Sequence, residues 1–401
     1  MRDWQRTLWL MVAVQATMSI AFQISAPFLP LFLIQLGVHP LPTVELWAGA
    51  ISSVNFLVSA LLSPFWGGLA DRVGRKAMVI RSAAAVSLAT ALMGIVQNAV
   101  QLFGVRAFMG AFSGFSAAAT ALVATKVPQR RLGFSLGWMA TGQLVGALVG
   151  PMLGGVVADR THGYRAIFFG TSAFAFAAAL VCTLFVREGF RRTQRSGVSR
   201  AFFAELGELV RNPQLAPMFV VVLLAQVAAM GIQPVVPLYV RSMVGNVPWL
   251  ATAAGASFAV TGLADLIASP LLGKRSDRIG YRRVLLISLA GVAAFTLPQA
   301  FVHNVWGFIA LRFGVGVFLG GILPTANAWI GTLFPGEQRG RVYGVVSSAT
   351  FMGMFAGPLI GGFVASRLGF AAAFLLIGAL PLANLAWVFF GVPYRRHAPV
   401  R

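Results

Sequence analysis

The 401-residue sequence is poor in acids, with 10 Asp and Glu against 31 Lys and Arg, and it contains one cysteine and four histidines. The single cysteine, Cys182, excludes an intrachain disulfide and a cysteine-based metal cluster. Only 10% of the residues are charged, well below the share in an ordinary soluble domain. The sequence also lacks a phosphate-binding loop and a nucleophile motif, so we expect no cofactor, no metal site and no enzyme activity.

Hydrophobic residues make up 58% of the chain, and the mean hydropathy is +0.81. They form twelve apolar runs, each close to or longer than the roughly 20 residues that cross a bilayer as a helix. The sequence therefore predicts an all-α polytopic membrane protein with twelve transmembrane helices, which we call spans one to twelve. The runs are Leu8–Leu36, Leu46–Trp66, Ala77–Val96, Val100–Ala124, Leu132–Val157, Tyr164–Val186, Leu215–Val240, Leu250–Leu272, Val284–Val302, Val305–Thr332, Val342–Ala365 and Phe370–Gly391.

The positive charges follow the order of the spans. Of the 31 Lys and Arg, 25 lie in alternate connections or at the termini, and four lie in the other connections. Because positively charged loops stay on the cytoplasmic side, this distribution predicts that both termini and the central loop are cytoplasmic. A net charge of +21 would indicate nucleic-acid binding in a soluble protein, but charges strung between spans do not form one surface. We expect a multi-pass protein of the cell (inner) membrane that binds no nucleic acid.

The second half of the sequence repeats the first. Gly67–Lys76, reading GGLADRVGRK, recurs as Gly273–Arg282, reading GKRSDRIGYR, and Arg106 recurs as Arg312, both 206 positions later (273 − 67 and 312 − 106). Six spans are thus duplicated, and because six is even the two copies insert with the same orientation. We therefore predict two parallel six-helix halves that enclose a cavity near the middle of the membrane.

The repeat and the charge distribution divide the chain into four segments. The halves are predicted at 1–187 and 213–394, with a basic cytoplasmic linker at 188–212 and a cytoplasmic tail at 395–401. Residues 198–210 of the linker form either a short amphipathic helix on the membrane surface or part of a solvated segment.

Each half carries a short charged loop after its second span, between spans two and three and between spans eight and nine. The glycines are expected to let the backbone turn, and the cations to anchor at the anionic cytoplasmic face. The one acid in each loop, Asp71 or Asp277, is placed to accept hydrogen bonds from the start of a neighbouring helix and so to hold a gate shut. The alternative is that both loops only fix topology. The loop residues are Gly67, Gly68, Asp71, Arg72, Gly74, Arg75 and Lys76, and Gly273, Asp277, Arg278 and Gly280.

Three charged residues lie well inside apolar runs, namely Arg106 in span four, Asp265 in span eight and Arg312 in span ten. An ionisable residue in this environment is costly and indicates a function by default. Asp265 is a candidate proton carrier, and the alternative is an acid paired with a loop cation such as Lys274 or Arg278. For each arginine the alternative to a role in coupling is structural, in which it organises polar groups between helices or extends to the membrane surface.

Span five carries glycines four residues apart on one helix face, which predicts a groove where another helix backbone approaches closely. The proline within this pattern is expected to bend the span. The residues of the pattern are Gly142, Gly146, Gly150, Pro151, Gly154 and Gly155.

The repeat symmetry places the cavity between spans one, four, seven and ten, beside spans two and five. Polar or polarisable residues near the middle of these spans are candidates to line it, and the alternative role for each is helix packing. A few such groups among 33 Phe, 13 Met and 9 Trp suit apolar or amphipathic substrates of varied shape. The candidates are Gln23, Asn55, Met109, Gln143, Gln226, Met230, Gln233 and Asn327.

These motifs occur in order along the whole chain, and together they resemble the major facilitator superfamily of transporters, specifically its drug:proton antiporter branch with twelve spans. GGLADRVGRK matches the family's loop between spans two and three, and Leu102, Arg106 and Gly110 match its span-four motif. Met109 stands where the family usually has glutamine. The span-five glycines and Pro151 match a family motif associated with export.

The resemblance implies a neighbour for each loop acid. For Asp71 this neighbour is the start of span eleven near Gly340, and for Asp277 it is the start of span five near Leu132. The resemblance also implies that Arg106 faces the interior and takes part in proton transfer.

The function implied by the resemblance is multidrug efflux, that is, secondary active export of small apolar or amphipathic compounds, driven by proton antiport through alternating access. The alternative is uptake or export of one specific metabolite by the same fold. The expected partners are a small-molecule substrate, protons and the lipid bilayer, and we expect a monomer. The coupling residue stays open, because this chain has Gln15 and Gln23 in span one, where the family often carries an acid.

Overall fold

The structure is a computed structural model in which the described part of the chain is almost entirely helical and contains no strand. The predicted linker, apart from Glu188, and the whole predicted tail lie outside the described residues, as does the alternative of an amphipathic helix at 198–210. The boundaries of the four predicted segments therefore stay a prediction. The described residues are 3–186, 188, 215–334 and 339–391.

The predicted apolar runs are almost entirely helical, as expected of a chain whose backbone amides find no other partners in lipid. In the first half the helices are Asp3–Ser25, Leu29–Gln35, Leu41–Val73, Arg75–Ile95, Ala99–Ala111, Phe115–Lys126, Leu132–Thr161 and Arg165–Phe185. In the second half they are Leu215–Gly231, Val236–Val244, Leu250–Ile279, Tyr281–Thr296, Val305–Leu319, Ile322–Leu333 and Arg339–Gly391.

The number of spans is decided by the last helix. The described residues contain 11 helical segments long and apolar enough to cross a membrane, and the last of them, Val342–Gly391, has 50 residues. At about 1.5 Å per residue a straight helix of this length would extend about 75 Å, more than twice the thickness of the hydrocarbon core. Gly369 interrupts it with a φ of 83°, which an α-helix does not allow. The segment is therefore two spans, and the prediction of twelve transmembrane helices is confirmed.

Spans one, four, seven and ten are each interrupted near the middle. A 3-10 turn at Ala26–Phe28 interrupts span one, and Gly114, with a φ of 103°, interrupts span four. Spans seven and ten are interrupted at residues 232–235 and 320–321. Backbone groups freed by such breaks must be satisfied by protein or face a water-filled cavity. The four interrupted spans are therefore suited to form the walls of a central cavity.

The two halves share local geometry as well as sequence. Asn98 and Asn304, 206 positions apart (304 − 98), both cap a helix N-terminus by accepting a backbone N–H with the side chain. Gly74 and Gly280, also 206 positions apart (280 − 74), adopt φ angles of 101° and 96° between consecutive spans. A side chain at these angles is strained, so both positions require glycine. The duplication read from the sequence is therefore also present in the backbone.

The prediction that Gly67 and Gly68 turn the chain after span two is wrong. Span two stays helical to Val73, and the equivalent span eight stays helical through Gly273 to Ile279. The apolar run ends earlier, but a helix does not have to end with it, because its backbone hydrogen bonds are internal. Each turn needs only the single left-handed glycine that follows the helix.

The bundle has two different ends. We call the end with the connections after spans two, four and eight the basic end, and the other end the opposite end. One cluster of buried apolar side chains joins the two halves at the opposite end, whereas a second cluster contains only described residues of the second half, between 215 and 388. The large rings of the joining cluster include Phe28, Phe32 and Phe168 from the first half and Tyr239, Phe308 and Phe374 from the second.

Candidate functional site

A cavity of about 1180 Å³ lies between the two halves. Its walls come from spans one to five and seven to eleven, and its lining extends to Ala70 and Arg75 at the basic end. In the other direction the lining reaches Pro27 and Pro234, in the breaks of spans one and seven. Because the halves pack together beyond these prolines, the cavity is closed at the opposite end, and it extends toward the basic end. Its volume slightly exceeds the roughly 300–1,000 Å³ of a drug-sized pocket.

Five of the eight predicted cavity residues line this cavity, namely Gln23, Asn55, Gln143, Met230 and Gln233. They come from spans one, two, five and seven, so the lining combines amide groups with a polarisable methionine. The surrounding walls carry apolar side chains, among them Phe22, Phe56, Phe258, Phe351 and Met354.

The other three predicted residues lie elsewhere. Met109 is buried, with its Sδ 3.7 Å from Nη1 of Arg106. Gln226 is buried against span eleven, where its Cβ lies beside Gly353, and the backbone carbonyl of Asn327 accepts a hydrogen bond from a tyrosine of span eleven. The error has a simple cause, because the sequence gives the depth of a residue in a span but not which side of an interrupted helix faces the cavity.

Arg106 and Arg312 both line the cavity although each side chain is only 7% exposed. Arg106 donates from Nη1 to the Met109 sulfur, and the Arg312 guanidinium lies 5.5 Å from the centre of the Phe258 ring. The Nε of each is buried and has no hydrogen-bond partner among the described residues. No ion pair involves either arginine in the part of the chain that the structure describes. Within the described residues the site therefore contains two buried cations without a counter-ion.

Arg81 is a third cavity arginine, and the sequence reasoning missed it by counting it with the loop charges. Its guanidinium lies 3.5 Å from the centre of the Trp66 ring and donates to the Ser113 carbonyl at 2.9 Å. Because this carbonyl lies at the break of span four, the cation also stabilises the negative end of the helix that stops at Ala111. Its position inside the apolar run of span three was the available signal.

Asp265 does not line the cavity among the described residues and instead lies against the break of span ten. A Cβ built on Gly320 would come within 2.7 Å of its Oδ1. No ion pair joins Asp265 to Lys274 or Arg278, all three of which the structure describes. Its equivalent in the first half is Ser59, whose Oγ donates to a carbonyl in span four at 3.1 Å. Both residues thus contact an interrupted span from the neighbouring span.

The span-five glycines form the surface on which span one packs. A Cβ at Gly142 would lie 3.0 Å from the Val12 carbonyl oxygen, and one at Gly150 would lie 2.7 Å from Cβ of Gln23. Gly146 and Gly154 face span one in the same way. Pro151 lies inside the span-five helix. The glycines of span eleven pack against span seven in the same way. The span-one and span-five contact in the first half thus has an equivalent in the second half.

The opposite end is sealed by two further contacts between the halves, which we call the opposite-end seal. Gly155 of span five lies against span eight, since a Cβ there would come within 2.6 Å of the Ala251 carbonyl oxygen. Gly49 of span two lies against span eleven, where a Cβ would come within 2.6 Å of the Pro358 carbonyl oxygen. Substitution of either glycine would therefore require the two halves to move apart.

Asp159 belongs to the same seal. Its Oδ1 accepts a hydrogen bond from the backbone N–H of Ala251 at 3.0 Å, and its Oδ2 accepts one from Thr252 at 2.7 Å. These amides begin the helix of span eight, so the carboxylate satisfies unpaired donors and interacts favourably with the helix dipole. Asp159 was not among the predicted site residues. The signal was an acid shortly after the span-five glycines, in a chain with few acids.

Comparison with known proteins identifies the family. The model described as Major Facilitator Superfamily matches residues 11–260 and 243–401. The chain belongs to the major facilitator superfamily. It is 38% identical over 395 residues to "Multidrug resistance protein MdtG" of Enterobacter lignolyticus (strain SCF1), covering 98% of this chain and 93% of the relative. It is 36% identical over 397 residues to the protein of the same name from Salmonella arizonae, covering 99% and 98%.

The fold also resembles solved structures. The crystal structure of the nucleoside transporter NupG matches with a TM-score of 0.77 at 12% sequence identity, covering 95% of this chain and 99% of that one. At this identity the likeness shows the fold alone. The protein is thus a multi-pass membrane transporter of the major facilitator superfamily, with two parallel six-helix halves.

In this superfamily member the first charged loop is bonded within its own half. Glu188, which follows span six, accepts hydrogen bonds from the backbone N–H groups of Arg75 at 3.0 Å and Lys76 at 2.8 Å. The Arg75 side chain donates to the Ala121 carbonyl of span four, and the Lys76 side chain donates to a span-six carbonyl. Glu188 thus caps span three, a role that the sequence reasoning missed.

Of the two loop acids, only Asp277 has a side chain among the described residues. The side chain of Asp71 lies outside the described residues, so its proposed contact with span eleven stays a prediction. Asp277 is exposed, and its Oδ1 accepts a hydrogen bond from Tyr281 Oη at 3.0 Å. Arg72 and Arg278 are also exposed.

Proposed function

We propose that the protein exports small apolar or amphipathic compounds by alternating access, as a multidrug efflux transporter. The observation that carries this proposal is the cavity of about 1180 Å³, which extends to Ala70 and Arg75 at the basic end and is sealed at the opposite end. The positive-inside rule assigns the basic end and both termini to the cytoplasm. With that orientation the cavity takes compounds from the cytoplasm, and the relatives named multidrug resistance proteins support export.

The composition of the cavity lining favours substrates of varied structure over a single polar metabolite. Amides such as Gln23, Gln143 and Gln233 are spaced among phenylalanine and methionine side chains, which repack around ligands of different shape. A carrier for one sugar or amino acid needs a denser set of hydrogen-bonding groups. The second candidate function is transport of one specific metabolite by the same fold.

The energy source in this proposal is an inward proton gradient. Asp265 is the acid best placed to carry the proton, because it lies inside the membrane against the break of span ten, next to the cavity wall. Arg106 keeps its proton under all working conditions, so it acts by charge while the proton is carried elsewhere. Movement of the break as the cavity changes sides would change the surroundings of the carboxyl group.

Dye accumulation in bacterial cells tests the proposal. We expect cells that express the protein to accumulate less of the neutral dye N-phenyl-1-naphthylamine than cells without it, and a protonophore to abolish the difference. Cells expressing a Gly155→Leu variant, whose opposite-end seal cannot form as described, serve as the matched control. Higher accumulation in expressing cells would indicate uptake and would contradict the proposal.

A further inference from the structure

We propose that Arg106 and Arg312 form a paired anion-binding site in the cavity, and that the preferred substrates are amphipathic compounds carrying a carboxylate or sulfonate. This inference rests on the proposed function for its transport step, but the binding site itself does not. The two arginines occupy equivalent positions in the two halves, in spans four and ten.

The described charged residues that line the cavity all carry the same sign. Among the lining residues that the structure describes there are four cations, Arg75, Arg81, Arg106 and Arg312, and no Asp, Glu or His. A cleft lined by one sign of charge between apolar walls concentrates the field and attracts the opposite charge. A lipophilic cation would find no counter-ion there, since Asp265 lies against the break of span ten outside the lining.

The two deep arginines, Arg106 and Arg312, are not fully hydrogen-bonded within the described part of the chain. Each is only 7% exposed, and each keeps a buried Nε without a partner among the described residues. A buried charge is costly unless it is paired, and arginine cannot lower the cost by losing its proton. An anionic group in the cavity would supply the missing acceptors, and its oxygens fit the guanidinium in a bidentate manner.

The other two cations each donate to a backbone carbonyl group, although Arg81 also keeps a buried Nε and Nη1 without a partner among the described residues. Arg75 Nη1 donates to the Ala121 carbonyl at 2.8 Å, and Arg81 donates to the Ser113 carbonyl at 2.9 Å. Both lie nearer to the basic end than Arg106, and Arg75 begins span three. Arg75 and Arg81 thus give the cavity a positively charged lining between the basic end and the paired site.

The apolar walls hold the rest of the substrate. Phe258 lies 5.5 Å from the Arg312 guanidinium, and Met230, Phe351 and Met354 line the same cavity. An aromatic sulfonate would thus place its charge at the arginines and its rings against these side chains. The chemistry required is one anionic group joined to a drug-sized apolar body.

Binding to the purified protein in nanodiscs tests the site directly. The probes are 1-anilinonaphthalene-8-sulfonate and N-phenyl-1-naphthylamine, which share the same ring system and differ by the sulfonate, with protein-free nanodiscs subtracted. We expect the sulfonate to bind at least 10-fold more tightly than the neutral dye. Arg106→Gln and Arg312→Gln should each weaken the sulfonate about 10-fold and change the neutral dye less than 2-fold. Arg367→Gln, an exposed arginine at the opposite end, should change neither.

Two controls keep the result interpretable if a glutamine variant is unstable. Arg312→Lys retains the charge and should keep most of the preference for the sulfonate. In the unmodified protein, high salt should weaken the sulfonate but not the neutral dye, because screening acts on the charge interaction alone. Equal binding of the two dyes, or an equal loss of both in the glutamine variants, would overturn the proposal and leave the arginines a packing role.

Transport in proteoliposomes separates this inference from the proposed function. Export of the neutral dye and of the cation ethidium without export of the sulfonate would overturn the anion preference while multidrug efflux stands. Arginine-dependent binding of the sulfonate without transport of any of the three probes would support the site and refute the export function. Exchange of a monoanion outward for one proton inward moves two positive charges inward in net terms, so an inside-negative potential should favour export of the sulfonate. At 100 mV the potential raises the attainable concentration ratio by up to about 50-fold for each charge moved.

Discussion

Asp159→Ala removes the carboxylate that accepts hydrogen bonds from the first amides of span eight, at 3.0 Å from Ala251 N and 2.7 Å from Thr252 N. A capping side chain contributes about 0.5–2 kcal/mol, and a carboxylate at a helix N-terminus gains about 0.3–1 kcal/mol from the dipole. The two contributions overlap, so the loss is about 1–2 kcal/mol. This corresponds to a shift of about 5- to 30-fold in the equilibrium between the sealed and open opposite end.

Distances between paired spin labels measure this shift. Because Cys182 is the single cysteine, Cys182→Ser gives a background without other labels. Labels at Arg160→Cys and Asn246→Cys, both exposed at the opposite end, should move apart in the variant. Labels at Arg130→Cys and Arg275→Cys, both exposed at the basic end, should move closer together.

The neighbouring residue provides the control. The Thr161 hydroxyl donates to carbonyls of its own turn, at 2.7 Å to Val157 and 3.0 Å to Gly163. Thr161→Ala should therefore leave all distances unchanged. Asp159→Asn, which keeps an acceptor but loses the charge, should give an intermediate shift. Unchanged distances in Asp159→Ala, or the same change in Thr161→Ala, would refute the reasoning.

Three further predictions concern coupling, gating and packing. Asp265→Asn should abolish dye transport driven by an imposed pH gradient in liposomes while leaving dye binding intact, and uphill transport by this variant would make Asp265 structural. Asp71→Asn should weaken a charge-assisted contact with span eleven by about 0.3–2 kcal/mol, favour the inward-open state and reduce export. Label distances between that loop and span eleven would stay constant if Asp71 were only topogenic. Gly155→Leu should overpack the seal at a cost of about 1–3 kcal/mol and abolish export without loss of membrane insertion, which fractionation and dye efflux measure together.

The sequence predicted the spans well because each one follows from a local requirement. A backbone in lipid has to satisfy its own hydrogen bonds, so an apolar run of sufficient length has to be a helix. The separation of spans eleven and twelve was predicted from two apolar runs that end at Ala365 and begin at Phe370, and the structure places the break between them at Gly369. The error at Gly67 and Gly68 arose because hydropathy marks the end of the hydrocarbon and not the end of the helix.

The cavity was predicted less completely. Gln23, Asn55 and Gln143 could be found because the repeat identified the spans that enclose it. Met109 and Gln226 were assigned to it wrongly because the direction of a side chain depends on how its interrupted helix is rotated against its neighbours. That rotation results from packing between distant segments, such as the span-one backbone lying on the span-five glycines.

The sequence by itself determined the helical spans and the excess of positive charge between alternate spans, because each of these is set by residues close together in the chain, and a comparison of its two halves was enough to show their duplication. The tertiary structure alone decided which of those charges share a cavity and how its opposite end is sealed. Arg106 and Arg312 meet in one cavity only because two halves pack against each other. Asp159 contacts the start of span eight across 92 positions of sequence, and a contact of that range depends on the packing of whole helices.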